Sequence, residues 1–527
     1  MRKAIAMLGL LGCLTLYAVA QNPSCGSLND TAVHTPPQYS CSSPPCTVGG
    51  GSGQPLAPPS SVNDTYSDPQ YSCTIKRMTT FGEQQSGQAS HNFYSTTTSI
   101  SAQDGFIQII QDNSAKYIIS LADGSLVVPI SNFPTHSDPY FSDVNVTPWD
   151  RVTDYIFYHA NGNVFYRDSI NNGSPVSGCK PNCTVTSTAL HTFSGFTNIL
   201  VPDDENISQG NQYIWLIGTS SSGVNSSVAI CYDFKNNIVV SSALTVGGQD
   251  SGSNPSWHKI QVFPSGKMFL TVGGGNTSLC GGGAGGQCIY NTDGSLYWAP
   301  PWTYSSHTGV GTDLSGHEVM IAVASGTDTL NACGQNSQGR YYALTVVDIN
   351  AKSPLNCLIG GTGTGCVGTA SCAGPWLQNW EISYEDSPNG WILLTICEDG
   401  CGGPGLPDIA GFDTVSPSRL VSTWSNSCGS VGANACWTTY SEEVILAKVD
   451  GSAIYRLAHH RSRDGENFFA VPVGTISVDG TYLVYNSDFD ISNTGDSQYS
   501  DVYMIATGIN TDPSQPAPPT GLQAIVQ

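Results

Sequence analysis

The sequence predicts an all-β protein: a β-propeller of seven blades with disulfide-bearing loop inserts. Three observations predict it. Short segments of alternating apolar and polar residues meet at Asp-Gly, Asn-Gly or Ser-Gly pairs, the strongest short-range signal of a hairpin. Most of these hairpins recur at intervals of about 50 residues, within the range of propeller blades, and the last two intervals are longer because of inserts. Charged residues make up only 11% and glycine numbers 58, a balance that favours strands and turns over helices.

The elements follow in chain order. Arg2 and Lys3 precede an apolar run, Ala4 to Val19, and Ala18-Val19-Ala20 is a small-residue cleavage site. Residues 1–20 therefore read as a secretory signal peptide, with the mature chain starting at Gln21. Leu10-Leu11-Gly12-Cys13 is a loose lipobox and leaves a lipoprotein signal as the alternative. Residues 21–89 are rich in Pro, Ser, Gly and Cys, and predict a loosely ordered N-terminal segment. The propeller is expected over 90–508, with one primary turn per unit near Gly105, Gly162, Gly210, Gly266, Gly316, Gly390 and Gly480. An array of β-sandwiches or a β-helix competes with it, but no linker interrupts this stretch. Gly273 to Cys288 is a glycine-rich insert. It lacks Gly-Lys-Ser/Thr, so it is not a phosphate loop. Cys357 to Cys436 holds further long loops. A Pro-rich tail covers 509–527, and its Pro518-Pro519-Thr520-Gly521-Leu522 resembles the first strand of fibronectin type III modules.

Charge and cysteines bound the partners. The chain has 18 Lys and Arg against 40 Asp and Glu, for a net charge of −22, and loses two cations with its signal. Such a chain repels nucleic acid and anionic membranes. No other apolar run is long enough to cross a bilayer, so no membrane insertion is expected. The 10 Trp and 24 Tyr suit an extracellular polysaccharide as partner. Neighbouring cysteines suggest disulfides within Cys41/Cys46, Cys179/Cys183, Cys280/Cys288, Cys366/Cys372, Cys397/Cys401 and Cys428/Cys436. With Cys13 in the signal, an odd number remains, which leaves at least one thiol free or paired with another chain.

Two groups of residues carry candidate chemistry. Arg456-Leu457-Ala458-His459-His460-Arg461-Ser462-Arg463 concentrates cations in an acidic chain. Arginine pairs with a carboxylate and histidine serves as a base near neutral pH. His459, His460, Arg461 and Arg463 are thus candidate catalytic residues, and Arg456 a substrate-binding one, for β-elimination on a uronic-acid polymer. A solvated loop whose arginines pair with Asp464 and Glu466 is the other reading. When the units are aligned on their turn glycines, His258, His307 and Glu381 fall at matching places in three successive units. They could converge at one mouth of the channel and hold a divalent metal, or simply bond neighbouring blades. Trp257 and Trp380 flank them as candidate substrate platforms. His91 belongs to the closing strand or to the mouth.

The His-rich segment before the strand pair Pro472 to Ser487 resembles secreted bacterial propellers of the oligogalacturonate lyase and TolB-like type. That resemblance implies a polysaccharide lyase with a histidine-held metal. The cysteine-rich inserts depart from the family. Two other functions remain open: a non-catalytic carbohydrate- or protein-binding propeller, and a hydrolase using paired carboxylates such as Glu381 with Glu385 or Asp386.

Overall fold

In the computed structural model, the residues described are 22–32, 34, 58–93, 97–111, 115–135, 146–202, 207–208, 210–220, 223–249, 255–272, 279–281, 286–301, 308–325, 329–330, 332–333, 342–359, 380–384, 390–396, 443–461, 472–487, 489 and 500–509. Their strands form seven sheets of three to five strands. Blade 1 runs from Ser90–His91 through Phe106–Gln111 and Lys116–Ser120 to Leu126–Val128. Blade 2 is Ile156–Asn161, Val164–Ile170 and Val185–Thr192, with Trp149 bridging Phe157 in place of an innermost strand. Blades 3, 4 and 5 span Asn198 to Thr245, Gly248 to Trp298 and Gly309 to Ile359. Blade 6 holds Trp380–Ser383, Trp391–Ile396, Glu443–Lys448 and Ile454–His459. Blade 7 holds Gly474–Ile476, Tyr482–Ser487 and Asp501–Ala506.

The apolar core shows that these sheets close a ring. It divides into seven clusters, and each joins two successive blades. Closure is visible where Ile107, Ile109, Tyr117 and Ile119 of blade 1 pack on Val484, Val502 and Met504 of blade 7. A strand buried on both faces reads as a nearly continuous apolar run. Phe-Ile-Gln-Ile-Ile-Gln and Glu-Val-Ile-Leu-Ala-Lys are such runs, buried at every position. The chain is a seven-bladed β-propeller, whose radial repetition leaves only short sheet edges.

The N-terminal segment corrects one expectation. Thr74–Arg77 pairs with Asp501–Ala506 as the fourth strand of blade 7, and Thr65–Ser67 adds a fifth. Ser27–Leu28 pairs with the outer strand of blade 6. The two ends of the chain thus complete blade 7 together. Thr-Ile-Lys-Arg has one apolar residue, too few to register as an alternating pattern.

The repeat register needs a second correction. Antiparallel order puts the turns between first and second strands, and between third and fourth, on one face of the ring. Turns between second and third strands, and the blade-to-blade connections, lie on the other face. Gly162 sits between the second and third strands of blade 2, opposite to the other six turns. The equivalent turn in blade 2 has no glycine: Asp150 Oδ1 accepts from the N–H groups of Val152 at 2.9 Å and Thr153 at 2.7 Å. An aspartate that caps its own turn replaces the Gly signal.

Four disulfides occur among the described residues: Cys179–Cys183, Cys280–Cys288, Cys25–Cys73 and Cys333–Cys357. The first two are neighbours in sequence, as expected. The other two join distant cysteines and were not legible from spacing. Cys231 is a free, buried thiol. The pairs Cys41/Cys46, Cys366/Cys372, Cys397/Cys401 and Cys428/Cys436, the signal peptide and the fibronectin-like tail lie outside the described residues. No helix among the described residues is long and apolar enough to cross a membrane.

Candidate functional site

The basic cluster lies on the outermost of blade 6's own four strands, under the N-terminal segment. Arg456 is fully buried. Its Nε donates to Glu443 Oε2 at 2.6 Å, and its Nη2 donates to Glu443 Oε1. Nη1 donates to the carbonyls of Ala32 at 2.6 Å and Asp30 at 3.2 Å. The guanidinium carbon lies 5.3 Å from the Tyr71 ring centre, and the Tyr71 hydroxyl donates to Glu443 Oε1 at 2.7 Å. Burial, reinforced by the Glu443 charge, pushes that hydroxyl far above its ordinary pKa. His459 is 1% exposed. Its ring nitrogens sit 3.8 Å from Asp68 and 3.9 Å from Glu443, and its backbone N–H donates to Asp68 Oδ2 at 3.1 Å. His460 is buried as well. Arg461 takes a left-handed φ of 59° and lays its guanidinium over Tyr66 and Phe489, at 5.1 and 5.4 Å. Arg456, His459, His460 and Arg461 therefore come together, but inside the wall between blades 6 and 7. Arg463 lies outside the described residues.

The proposed metal residues are placed by backbone only in part. His258 and Trp257 are on Ser256–Val262, the longer inner strand of blade 4, and Trp380 and Glu381 are on Trp380–Ser383, innermost in blade 6. The alignment on turn glycines thus puts His258 and Glu381 on corresponding strands. His307 lies outside the described residues, and Trp380 and Glu381 are described as backbone alone. Trp257 is buried in the core between blades 3 and 4. No group of three His, Cys, Asp or Glu able to hold a metal stands together among the described residues. The donor set for a metal is therefore not shown, and no chemistry is routed through one.

A small hollow opens between the inner strands of blades 1, 2, 3 and 7, lined by Thr98, Trp149, Asp150, Arg151 and Val478. The Asp150 carboxylate is already engaged by Val152, Thr153 and the Tyr158 hydroxyl, the last at 2.6 Å. The hollow therefore offers mostly apolar wall.

The seam between blades 1 and 7 is different. Ser90 pairs with Gln111, and Tyr117 pairs with Ile109 two residues away. Directly paired residues share a face, and so do residues two apart on one strand. Ser90, Gln111 and Tyr117 therefore all point toward blade 7. The Ser90 and Tyr117 hydroxyls are 3.1 Å apart, and the Ser90 N–H donates to Ser500 O of blade 7 at 3.1 Å. Asn92 N–H donates to Asn486 Oδ1 at 2.9 Å across the same seam. Gln111 is fully buried, and neither its amide nitrogen nor its amide oxygen has a hydrogen-bond partner. Asn92 Oδ1, Ser500 Oγ and Glu83 Oε2 are buried atoms in the same condition. Burial and the Asp501 charge raise the Glu83 carboxyl to about 7, against its backbone bond from Thr80. None of these residues stands out in the sequence, where only neighbouring His91 does. The available signal was glutamine at positions 108 and 111 within an otherwise apolar strand.

No model of a known protein family and no curated protein sequence matches the chain. Among solved structures, it is similar to an oligogalacturonate lyase in complex with manganese, at 9% identity and a TM-score of 0.45, covering 84% of this chain and 96% of that one. The oligogalacturonate lyase of Vibrio parahaemolyticus is similar at 7% identity and a TM-score of 0.42, with the same coverage. The Neurospora crassa Pan2 WD40 domain follows at 8% identity and a TM-score of 0.36, covering 80% and 90%. The assignment of a seven-bladed propeller rests on the sheets and cores described above, and these likenesses add nothing about a reaction.

Proposed function

We propose that this chain is a secreted β-propeller that binds extracellular polysaccharide without cleaving it. Burial of Arg456 is the observation that carries the choice. β-Elimination needs a cation and a base that reach the uronate from solvent. Arg456 and His459 are instead packed against Glu443 and Asp68, less than a tenth exposed. With Arg456 and His459 held away from solvent, binding is the reading best supported. Secretion is supported by the signal-like N-terminus and by disulfides, which persist in oxidising compartments. The net charge of −22 disfavours nucleic acid as a partner.

The test uses the mature chain, 21–527, on columns of immobilised neutral and uronate polysaccharides. Parallel incubations with the same polymers, with and without chelator, follow ultraviolet absorbance of unsaturated uronate. Retention without absorbance supports binding. Absorbance abolished by chelator would restore the metal-dependent lyase, with His258, His307 and Glu381 as its first candidates. No retention and no absorbance would sink both readings.

A further inference from the structure

We propose that the seam between blades 1 and 7 is a binding site for the hydroxyl groups of a neutral sugar, with Gln111 and Asn92 as the groups that read them. The inference rests on the polysaccharide-binding reading and names its site and ligand class. Gln111 carries the argument. A buried amide left without partners forfeits its hydrogen bonds to water and gains none in return. Leucine or methionine would fill the same volume at no such cost. Yet Gln111 is fully buried with both amide atoms unpaired among the described residues. A planar amide presents donor and acceptor side by side, which matches two neighbouring hydroxyls of a sugar ring.

The surroundings fit hydroxyls and reject a uronate. Asn92 Oδ1 and Ser500 Oγ are also buried and unpaired, and each can bond a hydroxyl as acceptor. The Arg77 guanidinium, beside Asp501 of blade 7, is occupied: it donates to Asp501 at 2.5 Å, to Thr79 O at 2.9 Å and to Pro59 O at 2.6 Å. The Glu83 carboxyl, raised by burial, lies within reach of the Asp501 charge, which raises it further, and two carboxyls at the seam disfavour the carboxylate of a uronate. Glu83 and His91 are only partly buried, so the seam is open at its rim. A protonated Glu83 carboxyl can donate to a hydroxyl, and an ionised one can accept from it.

The experiment measures thermal shift of the mature chain with galactose, glucose, mannose, xylose and galacturonate. It compares wild type, Gln111→Leu and Ser500→Ala, with polysaccharide-column retention run on the same proteins. The expected result is a rise in Tm of wild type with at least one neutral sugar and none with galacturonate. Gln111→Leu should lose that rise, with at least a tenfold weaker sugar affinity, while its own Tm is equal or higher. Ser500→Ala should weaken the affinity severalfold, and it keeps the test alive if Gln111→Leu misfolds. A full sugar-induced shift in both variants overturns the site. So does wild type that is retained on polysaccharide but shifted by no neutral sugar; the parent reading then survives. Wild type that is neither retained nor shifted overturns both.

Discussion

Arg456 and Glu443 meet on adjacent strands of blade 6, Nε to Oε2 at 2.6 Å, with neither side chain exposed to solvent. Such a pair is expensive to break and cheap to replace. Removing one partner strands a buried charge, at about 3–5 kcal/mol, whereas an apolar pair of similar volume is often neutral. Glu443→Gln and Arg456→Met should therefore each lower stability by that order in denaturant titrations. Arg456→Met with Glu443→Leu should recover most of the loss, short of the Tyr71 hydroxyl that Glu443 also accepts from. Polysaccharide retention of the folded variants should stay at the wild-type level. A folded Arg456→Met chain that loses retention would return this cluster to function.

A second prediction concerns the joint between blades 1 and 2. Asp154 Oδ1 accepts from the N–H groups of Gln103 at 3.0 Å and Gly105 at 3.2 Å, and from the Ser101 hydroxyl. A Cβ on residue 105 would lie 1.8 Å from Asp154 Oδ2. Gly105→Ala must displace the carboxylate and lose these bonds, at about 1–3 kcal/mol for an overpacked contact. Asp154→Ala should cost a similar amount through the unpaired N–H groups. The double variant should fall well short of the sum, because both changes break one joint. Additive losses would mean the two residues act separately.

The joint between blades 1 and 7 should respond to pH. Burial and then the Asp479 charge and hydrogen bond raise the Asp104 carboxyl to about 8, from an ordinary value of 3.8. A raised acid holds its proton in the folded chain after the unfolded chain has released it. Stability from this group is thus present below pH 4 and is lost as pH rises toward 8. Glu83, raised to about 7, acts with the same sign over a narrower window from about 4.5. Asp104→Asn should therefore raise Tm relative to wild type above pH 8 and have little effect near pH 4. An equal effect at both pH values would show that the carboxyl does not titrate in this window.

The fold was legible because a blade is a local object. Glycine turns between apolar runs announce hairpins without reference to distant residues, as Asp-Gly, Asn-Gly or Ser-Gly in blades 1 and 4 to 7 and as Gly210 in blade 3, so these six blades can be counted. Blade 2 was counted by the wrong turn, since Asp150 caps its own loop where the other blades use glycine. The closing strand Thr74–Arg77 was hidden because its partner lies over 400 residues away. The sites were less legible for the same reason. Arg456 and His459 looked like an exposed basic patch until Asp68, Tyr71 and Glu443 were brought around them. Gln111 acquires meaning only when Ser90, Tyr117 and Ser500 show that its face meets another blade.

The N-terminal segment supplies the last prediction. Cys25 and Cys73 are bonded across a sequence separation of 48 residues. Cys73 directly precedes the strand Thr74–Arg77 that completes blade 7, while Gly26 rests on the Arg456 carbonyl of blade 6. The bond therefore ties the segment that clasps the ring to the blade beside it. Loop-closure entropy puts its worth at about 4 kcal/mol. Cys25→Ala with Cys73→Ala should lower stability by up to that amount. The loss should appear first as faster proteolysis within 22–77 under native conditions, since the segment opens locally before the ring does. The remaining blades should hold their amide-exchange protection. If protection falls equally in all seven blades, the ring opens as one unit and the segment is its latch; if neither stability nor proteolysis changes, strand pairing alone holds the segment in place.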